Sequence, residues 1–135
     1  MTKHLKPILN TSLPRAFRCI RLELARESMH PEGDTGIAYL IVAPLDSDDR
    51  IDVELWKQHR EACRVVRIRP GQLEHLGHLV HRPGGSWAFK YDVNEDTADE
   101  VGYHLSDAQF VPGKYVSVRE RDAMHTYQVT LATPL

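Results

Sequence analysis

Cysteine is scarce. Cys19 and Cys63 are the only two in 135 residues, too few for a disulfide framework or a four-thiolate zinc site, and neither belongs to a Cys-x-x-Cys pair. Both read as small buried hydrophobes, and no structural disulfide is expected. Long apolar runs are missing too: the longest, Ile37 to Leu45, is interrupted by Pro44 and falls well short of the roughly 20 residues that span a bilayer. Near the N-terminus, Lys3, His4 and Lys6 are followed only by Pro7-Ile8-Leu9, where a signal peptide needs about 7 to 15 apolar residues. These shortages predict a soluble, cytoplasmic protein with no membrane partner. Charge of one sign is lacking as well. Seventeen basic against nineteen acidic side chains leave a net charge of −2, so no global field favours nonspecific nucleic-acid binding.

The motifs that announce chemistry are equally thin. There is no Gly-x-Ser-x-Gly elbow and no glycine-rich phosphate loop, and Gly84-Gly85-Ser86 is better explained as a turn. Asp92-x-Asn94-x-Asp96 begins like a calcium loop, but Thr97 stands where the sharp turn needs Gly and Tyr103 where Glu should chelate. No catalytic residue and no cofactor are assigned from the sequence.

What is present is a succession of short strand patterns between turn formers. The length fits one domain, with residues 1–14 as a tail and 15–135 as a single β-rich unit. Phe17 to Leu24 alternates apolar and charged residues with the two-residue period of a half-buried strand, and Gly36 to Val42 reads as its buried hairpin partner. Asp52 is placed to cap a short helix near 52–62, whose apolar side would carry Leu55, Trp56, His59, Ala62 and Cys63. Arg64 to Arg69 is β-like and stops at Pro70-Gly71. Leu79 to His81 and Trp87 to Tyr91 flank Arg82-Pro83-Gly84-Gly85-Ser86, the clearest hairpin turn in the chain. Tyr103 to Leu105 and Ala108 to Val111 could form one interrupted strand. A last hairpin, Tyr115 to Arg119 with His125 to Leu131, turns around Arg121-Asp122-Ala123 and puts Tyr127, Val129 and Leu131 on one face. The expected fold is mostly β: a small antiparallel barrel or sandwich of about six to eight strands with one short helix.

Three groups of side chains invite a functional reading. Residues 31–54 hold seven acids and one base, 55–90 seven bases and two acids, and 91–107 six acids and no base, so charge alternates along the chain. Within the basic segment Arg67 and Arg69 stand two apart, which on a strand points both guanidinium groups to one face, where they could grip a carboxylate or phosphate. Arg82 joins them if its strand is their neighbour. Mutual neutralisation by the acidic loops is the structural alternative. If the pair is exposed, replacing both arginines by Gln should cost less than about 1 kcal/mol.

Histidine is plentiful, and His75-x-x-His78-x-x-His81 is evenly spaced, with His104 and His125 further on. On a strand an odd spacing sends neighbours to opposite faces, so His78 and His81 cannot share a metal ion, and no metal is expected. Trp87, Phe89 and Tyr91 alternate on one face and read as core rather than as a stacking platform. Three functions follow from these residues. The leading one is a non-catalytic module that binds an anionic ligand or protein through Arg67, Arg69 and Arg82. The others are a histidine-dependent metal enzyme and a structural subunit that forms homo-oligomers through strand edges.

Overall fold

In the computed structural model, which describes residues 13–92, 100–103, 105–120 and 123–135, eight antiparallel strands follow one another around a closed barrel. They are β1 Phe17–Leu24, β2 Asp34–Pro44, β3 Arg64–Ile68, β4 His75–His81, β5 Trp87–Tyr91, β6 Glu100–Tyr103, β7 Tyr115–Arg119 and β8 Met124–Pro134. Each pairs with its neighbours in chain order, and β8 closes the ring on β1. The expected β class is thus observed as a barrel. The tail expected at 1–14 falls mostly outside the described residues, as do Asn94, Asp96, Thr97 and the Arg121-Asp122 turn.

An up-and-down barrel sends successive connections to opposite ends, so the two ends differ in sequence. At one end, the base, the β2–β3 connection carries the short helix α1 Val53–Gln58, capped by the Asp52 carboxylate accepting from the Leu55 amide at 3.1 Å, then a 3-10 turn over Arg60–Ala62. Trp56 reaches down from α1, donates to the Leu79 carbonyl at 2.8 Å and packs edge-on against Trp87 at 5.4 Å. Phe17, Leu105 and Phe110 are buried in the core that fills this end. The base is therefore sealed by apolar side chains. The 105–111 segment is a turn and loop rather than the continuation of a strand, because its two largest apolar residues plug the barrel end instead of alternating across a sheet.

The strand interior is filled in layers, as an eight-stranded barrel allows. Ile20, Leu22, Ile41, Val65, Leu79 and Val129 form the middle. Above them Tyr39, Phe89 and Tyr127 make an aromatic layer, with Tyr39 ring centroids 5.0 Å from both of the others. Trp87 and Phe89 are buried and Tyr91 lies half-buried at the strand end, in line with the core reading of this aromatic row.

One interior assignment is corrected. Leu131 does not follow Tyr127 and Val129 inward but is 39% exposed. The register slips between Arg21 and Leu22, with Arg21 opposite Leu131 and Leu22 opposite Val129, so Thr130 is an extra residue on β8. Such a bulge exchanges the faces beyond it. Gly33 ends the β1–β2 connection at φ 76°, and a Cβ there would meet the Leu24 carbonyl at 2.5 Å, so this turn requires glycine.

Candidate functional site at the barrel mouth

The other end, the mouth, is polar. Among the described residues it carries the β1–β2 and β3–β4 connections and Glu120 after β7, and the aromatic layer lies beneath them. The β3 ladder places Val65 opposite Ile41 and Arg67 opposite Tyr39, both partners being interior residues, so Arg67 stands on the inner face and Arg69, two positions on, continues it. The expectation that this arginine pair shares a face holds; the face is the inside of the barrel wall.

Arg69 is spent largely inside. Its Nη2 lies 2.9 Å from Glu120 Oε2, 3.1 Å from the Tyr127 hydroxyl and 3.3 Å from that of Tyr39, while Nη1 donates to the Ile68 carbonyl at 2.8 Å. Tyr39 donates to the same Glu120 oxygen at 2.7 Å, and Tyr127 makes a still shorter bond to it. The ion pair is nine-tenths buried, with 10% of the Arg69 and 9% of the Glu120 side chain exposed. Arg69 therefore does not meet the condition, exposure, under which replacing the two arginines was expected to cost little, and a charge left unpaired in such a place is costly.

The surroundings fix the protonation states. Burial works against the Arg69 charge, but Tyr127, Tyr39 and Glu120 more than offset it and hold its pKa above the usual arginine value. Burial, reinforced by the Glu120 charge and its hydrogen bond, pushes the Tyr127 phenol well above its ordinary pKa, so this hydroxyl remains a donor.

A second polar string leads outward from Glu120. Its Oε1 lies 4.0 Å from His125 Nε2, and His125 Nδ1 donates to Glu27 Oε2 at 2.9 Å. Glu27 Oε1 accepts from His30 Nδ1 at 3.2 Å. Glu27 and His30 face each other across a tight turn, joined by reciprocal backbone hydrogen bonds of 3.0 Å. The hydrogen bond from His125 lowers the Glu27 pKa below 4.5; burial opposes this and His30 assists it. A carboxylate whose folded pKa is depressed contributes stability above its unfolded pKa, and that contribution disappears as pH falls through the folded value. Replacing Glu27 by Gln is therefore expected to flatten the loss of thermal stability as pH falls below about 5, which melting curves at a series of pH values would register.

Sequence reasoning missed Glu120, Tyr39 and Tyr127 as a group because they are far apart in the chain and only barrel closure joins them. Their one signal was a lone Tyr on the inward face of each of two strands, which also describes ordinary core.

Arg82 does not join the other arginines. It follows β4, which neighbours β3, but Arg67 is opposite His75, seven residues before Arg82. At roughly 3.3 Å per residue that sets Arg82 about 23 Å away, at the base. The spaced histidines scatter likewise. His75 lies on the inner face at the mouth, His78 is turned outward to Asp92 at 3.0 Å, and His81 packs between Trp56 and Trp87 at the base. His104 is outside the described residues. No group of three or more His, Cys, Asp or Glu side chains among the described residues is arranged to hold a metal ion. Among the described residues each of the eight strands has a hydrogen-bonded neighbour on either side.

Cys19 and Cys63 are both free thiols. Burial pushes the Cys63 thiol up to about 12, and its Sγ lies 3.4 Å from the His59 carbonyl. Two shallow grooves flank Leu13 at the base, but Arg18 there is bonded to the Arg15 and Phe17 carbonyls, and Arg60 lies over the Trp56 ring at 4.7 Å. No helix among the described residues is long and apolar enough to cross a membrane.

Together these features define an up-and-down antiparallel barrel with a sealed base and a polar mouth. No protein-family model matches the chain, and no curated protein or solved structure shows significant similarity to it.

Proposed function

We propose that the protein is a non-catalytic binding module whose barrel mouth receives an anionic ligand. The observation that carries this reading is the placement of Arg67 and Arg69 on one inner wall, above a floor with two phenol hydroxyls. Barrel mouths are common small-molecule sites because rigid strands hold a few polar groups in a concave, partly dry setting. Arginines on such a wall favour carboxylate or phosphate. The free thiols support a reducing compartment, and we place the protein in the cytoplasm.

The test is calorimetric titration with acetate, citrate and inorganic phosphate, at low and at physiological salt, of the parent and of Arg67→Gln. At least one of these anions should bind the parent saturably, more weakly as ionic strength rises. Arg67→Gln should lose about tenfold in affinity and keep a parent-like melt. Binding unchanged in Arg67→Gln, or absent from the parent for all three anions, would remove the reading.

A further inference from the structure

The seat around Glu120 has the chemistry of a carboxylate receptor whose occupant happens to belong to the chain. Three donors converge on one oxygen: Arg69 at the end of β3, Tyr39 on β2 and Tyr127 on β8. Each is carried by a different strand or strand end and therefore held by the ladder. The acceptor is not on a strand. Glu120 follows the last residue of β7, in the hairpin connection to β8. Its other oxygen faces His125 Nε2 at 4.0 Å, a second basic group already anchored by Glu27.

Two exposed apolar side chains stand among the polar residues of the rim. Met29 in the β1–β2 connection is 81% exposed and Leu73 in the β3–β4 connection 90% exposed, so two of the loops around the mouth offer large apolar side chains to solvent. Exposed apolar groups at the same end of the barrel as a buried polar seat suit a ligand with a charged head and a hydrocarbon body.

We propose that the mouth binds aliphatic monocarboxylates, and that the ligand's carboxylate takes the place of Glu120 on Arg69, Tyr39 and Tyr127. This rests on the binding-module reading and deepens it by naming the ligand class and the competitor. The displaced Glu120 moves toward His125, so neither Arg69 nor Glu120 is left without a partner. Because Glu120 is tethered beside the seat, an external carboxylate competes against a high effective concentration, and affinity in the parent is reduced accordingly.

Octanoate titrated by calorimetry into the parent and into Glu120→Gln tests the exchange. Octanoate should bind the parent, and Glu120→Gln, which removes the competing charge and restores the anion deficit beside Arg69, should bind it at least about tenfold tighter. Octylamine should bind neither. As a second reading that survives a loss of stability, the melting temperature of Glu120→Gln should rise with octanoate concentration more steeply than that of the parent.

Equal octanoate affinity in both proteins would overturn the displacement, and octylamine binding as well as octanoate would show adhesion to the apolar side chains of the rim alone. If phosphate binds in an Arg67-dependent way while octanoate does not, the module reading stands and the carboxylate inference falls. If no anion binds, both fall.

Discussion

Replacing Arg69 by Met is expected to destabilise the fold by about 3 to 5 kcal/mol, because it removes one partner of a buried ion pair and leaves the Glu120 carboxylate with the two phenol donors and, at 4.0 Å, His125 Nε2. The attraction between the two charges is not the source of that figure. Bringing both groups out of water is expensive, and the pair does little more than offset it; what is large is the penalty for stranding one charge. A sharper expectation follows for the double variant. Arg69→Met with Glu120→Leu removes both charges from the same tyrosine-floored space and should recover part of the lost stability, short of the whole because the Tyr39 and Tyr127 hydroxyls lose their Glu120 acceptor. Denaturant unfolding of the two single variants and the double variant closes the cycle. A parent-like melt for Arg69→Met would mean that the pair is solvated in solution and that the mouth is open to water down to its tyrosine floor.

The second large effect belongs to the opposite end. Trp87 is buried against Trp56, and the His81 ring lies tilted against it at 4.5 Å, so Trp87→Ala leaves a cavity where the base is sealed. A loss of about 3 to 5 kcal/mol is expected, the usual range for truncating a buried large aromatic residue. Thermal unfolding measures it. Where the variant remains folded, anion binding at the mouth should be unchanged, because the aromatic layer of Tyr39, Phe89 and Tyr127 lies between the two ends. A stability loss below about 1 kcal/mol would show that the base is not packed as described.

Much of the barrel was legible because its strands obey local rules. The Phe17–Leu24 period and the Pro-Gly-Gly hairpin needed no long-range information, and Asp52 caps the helix where its side chain can reach the Leu55 amide. Where reading failed, a non-local cause was at work. The bulge at Thr130 is imposed by pairing with β1 and turned Leu131 outward, against its own alternation. Leu105 and Phe110 resemble strand residues, but their burial comes from plugging the base.

The site divides in the same way. That Arg67 and Arg69 share a face follows from the period of a strand alone. That this face is the inside of a closed barrel, and that Glu120 waits there from a connection 51 residues further on, depends on register and closure. Arg82 was grouped with them by strand adjacency, which is correct, but adjacency without register leaves the position along the strand open by the whole height of the barrel.

The central claim is that the mouth, and not the base, is where an anion binds. Its most direct test is backbone amide and tyrosine ring chemical-shift mapping by NMR during a titration with octanoate. Shifts should concentrate at Tyr39, Tyr127, Arg69, Glu120 and His125. Shifts confined to the base, around Arg15, Arg18, Arg60 and Arg82, would contradict the account.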